Sequence, residues 1–398
     1  MKPPRSSLRS LVIAAALSAA SFSVVHAEGI GVDPPYTDFD PHSLLLGRTV
    51  AARVWDDMQA RKNAVVPVTL GAWHWWRIPT GGPGASGYGS PTLPGTYYYY
   101  LLLDPSWATG GKFVQSVGLH ADIRLREKNA FRNAMDSTFW PFEMYAWAST
   151  TAGVFKIGQI RRKFGLEWDG SFYGNVLYYD GFMLNSDFGV SWERTFWIKP
   201  KFSLESHAQF FFREDGISPG LTGADTESTS AFRLQNQAVV RVAPTWWFSP
   251  TSSLALGLSA SIGQVKAQSA GFHDHALTVW GIDLAYTRGR FKTFAEVLQR
   301  NGAVTPERYV SGGMSTRTTD FIVGASYVTG PVTWRVAYSA GYDSNPGGRQ
   351  YMFVPGITIA MTKNIDLYLE YVKWSTQASG SSAVTYENGF QVAMNWRF

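Results

Sequence analysis

The feature that most constrains this chain is the rhythm of its connections. From Lys199 to the C-terminus, stretches of alternating apolar and polar residues are joined by connections that are short and long in strict turn. Lys199–Lys201, Pro244–Thr251, Thr287–Arg290, Thr329–Pro331 and Thr362–Asn364 are short; Glu214–Ser230, Gln264–His275, Asn301–Thr318, Tyr342–Gln350 and Ser375–Ala383 are long. The stretches themselves repeat with period two. Val117, Leu119, Ala121, Ile123 and Leu125 alternate with Gly118, His120, Asp122, Arg124 and Arg126; Ile365, Leu367, Leu369 and Tyr371 alternate with Asp366, Tyr368 and Glu370. A strand turns successive side chains to opposite faces, so each stretch has one apolar and one polar face. A soluble sandwich alternates in the same way. It has no reason to keep its short turns at one end and its long loops at the other, whereas a membrane β-barrel does.

The physics of the bilayer agrees. Every backbone N–H and C=O inside it must be paired within the protein, and a closed sheet pairs them all. The pattern predicts strands at 187–198, 202–213, 231–243, 252–263, 276–286, 291–300, 319–328, 332–341, 351–361, 365–374 and 384–398, preceded by 113–126, 139–150 and 154–163. Ala64–Arg77 and Thr96–Leu103 bring the total to sixteen. The expected fold is therefore all-β: a transmembrane antiparallel β-barrel of about 16 strands, with fourteen and eighteen as the alternatives. An even number puts both termini on the periplasmic side. A lumen of this width holds water or a plug. Trp140, Trp246, Trp247, Tyr286, Tyr327, Tyr351, Trp374 and Trp396 fall near strand ends, as an interfacial girdle requires.

The first 27 residues read as a secretory signal peptide: basic Lys2, Arg5 and Arg9, an apolar stretch from Leu11, and a Val25-His26-Ala27 cleavage site. Residues 28–63 read as a periplasmic segment, with a short helix expected at Leu44–Ala60, and 64–398 as the barrel. Without the leader, 32 basic residues face 30 acidic ones, so nothing in the charge favours a nucleic-acid partner. The chain has no cysteine, which excludes disulfides and thiolate metal sites.

Chemical motifs are sparse. Gly82-Pro83-Gly84-Ala85-Ser86-Gly87 spells a nucleotide-loop pattern without the strand and helix that give it meaning. His273-Asp274-His275 carries metal-ligand types but reads as solvated loop polarity. Trp73-His74-Trp75-Trp76 with Tyr97–Tyr100 reads as girdle or core packing ahead of a sugar-stacking path. Seven scattered histidines and no recognisable Ser/His/Asp spacing argue against an enzyme, and neither cofactor nor metal is expected.

Two stretches carry a resemblance. Phe390, Val392, Met394, Trp396 and Phe398 alternate up to a terminal aromatic, similar to the last strand of bacterial outer-membrane proteins. That likeness implies recognition by the barrel assembly machinery through Phe398. Lys156–Glu167 resembles the Gly-Gln-x-Lys/Arg…Pro-Phe-Gly-Leu-Glu stretch of phosphate-selective (O/P type) porins at Gly158, Gln159, Arg161, Phe164, Gly165, Leu166 and Glu167, with Lys163 in place of the usual Pro. The resemblance implies an outer-membrane porin of a Gram-negative bacterium. It would be a homotrimer among outer-membrane lipid and lipopolysaccharide, passing small hydrophilic solutes and favouring anions. A plugged structural or export barrel is the alternative, and an outer-membrane enzyme a more distant one.

On this reading the candidates for the pore lining or constriction are Arg124, Arg126, Lys156, Arg161, Arg162, Lys163, Glu167, Asp169, Arg233, Arg241 and Arg335. The inward acids are nearly as numerous: Asp122, Glu143, Glu193, Glu205, Asp283, Glu296, Asp320, Asp366 and Glu370. Local clustering must therefore set selectivity. The acidic stretch Gly165–Ser186 is expected to fold inward towards a basic wall. Arg194 shares an apolar face with Val190, Trp192, Phe196 and Ile198, which requires either a slipped register or burial against another subunit.

Overall fold

The computed structural model describes residues 68–81, 96–126, 139–166, 186–213, 232–267, 273–302, 317–343, 348–362, 364–377 and 384–397. They form one closed antiparallel barrel of 16 wall strands. In chain order these are β1 (Val68–Gly81), β2 (Thr96–Leu103, resumed at Ser106–Ala108), β3 (Val114–Arg126), β4 (Phe139–Thr150) and β5 (Gly153–Arg161). Then come β6 (Ser186–Lys199), β7 (Phe202–Arg213), β8 (Phe232–Ser249), β9 (Ser252–Ala267), β10 (His275–Arg288) and β11 (Phe291–Asn301). The wall ends with β12 (Arg317–Thr329), β13 (Val332–Asp343), β14 (Arg349–Thr362), β15 (Ile365–Gln377) and β16 (Val384–Arg397). Each strand pairs with its sequence neighbours, and β16 closes on β1 with Trp396 opposite Ala72 and Phe390 opposite Ile78. Closure leaves no sheet edge, which a lipid environment demands. The expected helix at Leu44–Ala60, the leader and Phe398 lie outside the described residues.

Period two is realised throughout. Leu119, Ile157, Leu258, Ile282, Val297, Val323 and Phe390 stand exposed on the outer face, where lipid receives them. Asp122, Arg241, Asp283, Glu296, Arg300 and Asp320 are buried on the inner face. β2 is broken at Asp104-Pro105. Proline cannot donate to the ladder, so the chain steps aside there. The Asp104 carboxylate meets His120 Nδ1 at 2.6 Å, and the Pro105 carbonyl accepts from the Leu119 amide at 2.9 Å.

Several expectations need correction. β8 does not stop at Ala243 but runs to Ser249, through Pro244. Pro244 reads as a breaker, yet the alternation resumes beyond it, and the Trp247 amide still donates to the Lys201 carbonyl at 2.9 Å. Arg233 was placed on the inner face and is on the outer one, opposite Lys266. The cause is a bulge: Asn236 takes a left-handed φ of 51°, and the β8–β9 register shifts between Ile262 and Gln264. One extra residue reverses the faces above it, so Leu234 turns inward while Gln237 and Arg241 keep the inner face below. Trp247 and Trp374 are not girdle residues. Both point inward, donating to Ser203 Oγ at 3.0 Å and to Gln350 Oε1 at 3.3 Å.

Arg194 does face outward, so its register has not slipped. It lies beside Gly153, level with the Thr151-Ala152 turn rather than at mid-membrane. Its guanidinium sits 4.6 Å from the centre of the Phe196 ring. Near an interface the cost of a lipid-facing Arg falls to roughly 0–1 kcal/mol. No subunit contact is needed to accommodate it.

Candidate channel constriction

β5 is expected to run to Lys163 but leaves the wall at Arg161. The Arg161 amide donates to Glu143 Oε1 at 3.1 Å, and its carbonyl accepts from Gln209 Nε2 at 3.0 Å. The chain then crosses the inside of the barrel. The Lys163 amide donates to Gln209 Oε1 on β7 at 2.7 Å, the Gly165 amide to Ser259 Oγ on β9 at 3.1 Å, and the Leu166 amide to Glu296 Oε2 on β11 at 3.1 Å. Along the wall, β7 to β11 is four strand spacings, about 19 Å. The three residues from Lys163 to Leu166 span at most about 11 Å. The segment is therefore a chord across the lumen, and the wall side chains reach inward to meet it.

Local chemistry explains this path. Gly165 has a left-handed φ of 65°, and a Cβ there would come within 1.7 Å of Glu296 Oε1. Only glycine fits both the turn and the approach. Phe164 is fully buried, and a Cβ on Gly281 would lie 2.8 Å from its ring. Arg162, also fully buried, holds Asp187 Oδ2 through Nη2 at 2.8 Å. Asp187 is the second residue of β6, so this ion pair ties the outgoing end of the long loop to its returning end.

The inner wall carries further ion pairs. Arg124 Nη2 meets Asp122 Oδ2 at 2.8 Å, Lys156 Nζ meets Glu193 Oε1 at 2.8 Å, Arg300 Nη2 meets Asp320 Oδ2 at 3.3 Å, and Arg335 Nη2 meets Glu370 Oε1 at 3.1 Å. Arg241 is bidentate to Asp283, with Nη2 to Oδ1 at 3.0 Å. His207 lies between Glu205 and Glu193. Burial forces this pairing, because an ion left alone in such a place costs several kcal/mol. The same inner face also bears an apolar cluster, including Leu234, Val265, Leu277, Leu298, Met352 and Trp374, on which Phe164 and Leu166 pack.

The candidates therefore have different fates. Arg161, Arg162 and Lys163 meet at the root of the crossing segment, where only Lys163 keeps partial exposure. Arg124, Lys156, Arg241 and Arg335 line the inner wall, each held by a carboxylate. Arg233 is on the outer face. The side chain of Arg126 and the whole of Glu167 and Asp169 lie outside the described residues. The expected inward loop does turn inward at Gly165 and Leu166, whose amides meet Ser259 and Glu296; the rest of it, 167–185, lies outside the described residues. Gln209 and Ser259 carry no sequence signal beyond their polar place in the alternation. Glu296 is on the inward acidic row, without any sign that it would hold a loop. Asp274 takes Lys266 Nζ at 2.6 Å and the Ala267 amide at 3.0 Å. No group of metal-ligating side chains is present among the described residues. The Gly82–Gly87 loop lies outside them.

The closed 16-strand antiparallel barrel is similar in fold to solved bacterial outer-membrane porins. The chain superposes on OmpF of Salmonella typhi, solved with daunomycin, with a TM-score of 0.61 at 12% identity, covering 85% of this chain and 98% of that one. An anion-selective porin from Comamonas acidovorans gives 0.57 at 13% identity, covering 84% and 100%. OprB of Pseudomonas putida gives 0.57 at 11% identity, covering 87% and 96%. No family model and no curated protein matches the chain. Identities this low establish the fold alone. That fold is one that spans a membrane with strands, its apolar side chains facing outward.

Proposed function

We propose that the protein is a passive channel for small hydrophilic solutes, with its constriction at the crossing segment Arg162–Leu166. The observation that carries this reading is the chord itself: three backbone amides spent on partners from three different wall strands. Such a segment narrows the lumen by the width of a polypeptide, so size is the first filter. No covalent chemistry is involved, and the protein is not an enzyme on this reading. Charge is the second filter. Of the three cations at the root, Lys163 alone keeps partial exposure, so it is the one that faces a passing ion and tilts the constriction towards anions. The complete channel is a trimer, as its resemblance to the O/P type porins implies.

The test is single-channel recording of refolded protein in planar bilayers, with the reversal potential read across a salt gradient. Steady openings with an anion-favouring reversal potential are expected, and Lys163→Glu should move that potential towards cation preference. An unmoved potential would remove Lys163 from the filter. One observation favours a second reading, a barrel with a filled lumen: the inward apolar cluster is almost completely buried. A silent bilayer would establish that reading instead.

A further inference from the structure

The short turns close the barrel at the end where β1 begins, since Val68 is opposite Leu103 and Gly71 opposite Arg397. Their charge follows a regular order. Lys112 is in the β2–β3 turn, Lys199 and Lys201 flank the β6–β7 turn, and Arg288 and Arg290 flank the β10–β11 turn. The turns between them, at Thr151-Ala152, Pro250-Thr251 and Gly330-Pro331, are neutral. Basic turns therefore recur every four strands, a quarter of the way round a 16-strand circle. Four strands further on, between β14 and β15, the sequence has Lys363, which lies outside the described residues. The five described cations are all exposed, and none has a side-chain hydrogen bond, ion pair or ring contact among the described residues. The described residues of these turns include no carboxylate. Asp104, in the break of β2, is held by His120. The inner wall pairs Lys156, Arg241 and Arg335 with carboxylates, whereas this rim gathers like charges, which repel one another and attract an anionic partner.

The chain carries such a partner beside the rim. Residues 28–40 include Glu28, Asp33, Asp38 and Asp40 and neither lysine nor arginine. Residues 41–67 join them to β1, which starts at the same end of the barrel. As a flexible coil these 27 residues span roughly 30 Å. Strand spacings of about 4.8 Å close into a mouth at least about 25 Å across, so every basic turn is within reach. We propose that the acidic stretch 28–40 docks on the basic rim of its own barrel, chiefly at Lys199, Lys201, Arg288 and Arg290. One exposed ion pair holds little. A flexible tether supplies an effective concentration of about millimolar, and several pairs then act together. Docking holds the acidic stretch at the mouth of the lumen and offsets the charge of the rim. The contact does not depend on whether the lumen conducts.

The experiment measures distances by pulsed electron paramagnetic resonance on the full-length refolded protein. The chain has no cysteine, so Thr37→Cys and Thr151→Cys place one spin label in the acidic stretch and one on a neutral turn. In neutral detergent at 0.1 M salt a population of short distances is expected. It should disperse at 1 M salt, where the screening length falls from about 10 Å to about 3 Å. Reversing Lys199, Lys201, Arg288 and Arg290 to Glu should lower the docked-to-free ratio at least about tenfold. Adding Asp33→Lys, Asp38→Lys and Asp40→Lys to that variant should restore it. Heat-modifiable gel migration shows that each variant is folded. The same distances in the parent and the folded charge-reversed variant overturn the proposal. So does a short distance between singly labelled molecules that are mixed, which would seat the stretch on a second copy. Loss of the short distances in vesicles containing phosphatidylglycerol would assign the rim to lipid head groups, which also overturns it.

Discussion

Glu296→Ala removes the acceptor of the Leu166 amide. A hydrogen bond to a charged group is worth about 1.5–3 kcal/mol, so the ratio of docked to undocked segment should fall by roughly ten- to a hundredfold. The bonds to Gln209 and Ser259 and the burial of Phe164 remain. The single variant should therefore keep its main conductance and gain brief larger openings. Phe164→Ala adds about 3–5 kcal/mol, because its side chain is fully buried against the barrel interior. The two changes together should undock the segment and raise the steady conductance. Glu296→Gln keeps one acceptor oxygen and should behave nearly as the parent. The assay is single-channel recording, with heat-modifiable migration as the control for folding. If the folded double variant conducts like the parent, the crossing segment is not the constriction.

Three further outcomes follow from particular contacts. Arg300→Met strands the buried Asp320 carboxylate and should cost about 3–5 kcal/mol, lowering the temperature at which the barrel loses its compact gel form; Asp320→Leu in the same chain should recover most of that loss. Asn236→Val puts a branched side chain at a φ of 51° and should cost about 1–2 kcal/mol in denaturant titration, whereas Asn236→Gly should be tolerated. At the extracellular rim, the hydrogen bond from Lys266 holds the Asp274 carboxyl below its ordinary range, with the Ala267 amide adding to the effect. The contact is therefore present above the usual carboxylate range and is lost only as pH falls through the lowered value. Lys266→Met should move the Asp274 midpoint back up in an NMR titration of the labelled carboxyl, and an unchanged midpoint would remove Lys266 as the cause.

The barrel was legible in the chain because its two strongest signals are local. Alternation comes from the geometry of a single strand, and the short–long rhythm comes from the asymmetry of the two membrane surfaces. Both survive without knowledge of any partner strand. The inward row was legible for the same reason at Asp122, Arg241, Asp283 and Glu296. It failed at Arg233, where one left-handed residue, Asn236, reverses the alternation and nothing in the neighbouring residue types announces it. Trp247 and Trp374 were misplaced because an indole near a strand end suits either face, and only the register with Ser203 and Gln350 chooses.

The constriction divides along the same line. Residue types by themselves determined that the chain would close into a membrane barrel, but they carried the strand on to Lys163, two residues past the point at which it leaves the wall. That Lys163, Gly165 and Leu166 would end on Gln209, Ser259 and Glu296 was decided only by closure of the barrel. These partners are 46, 94 and 130 residues away in sequence. No periodicity spans such separations; the curvature of a closed wall brings them to one chord.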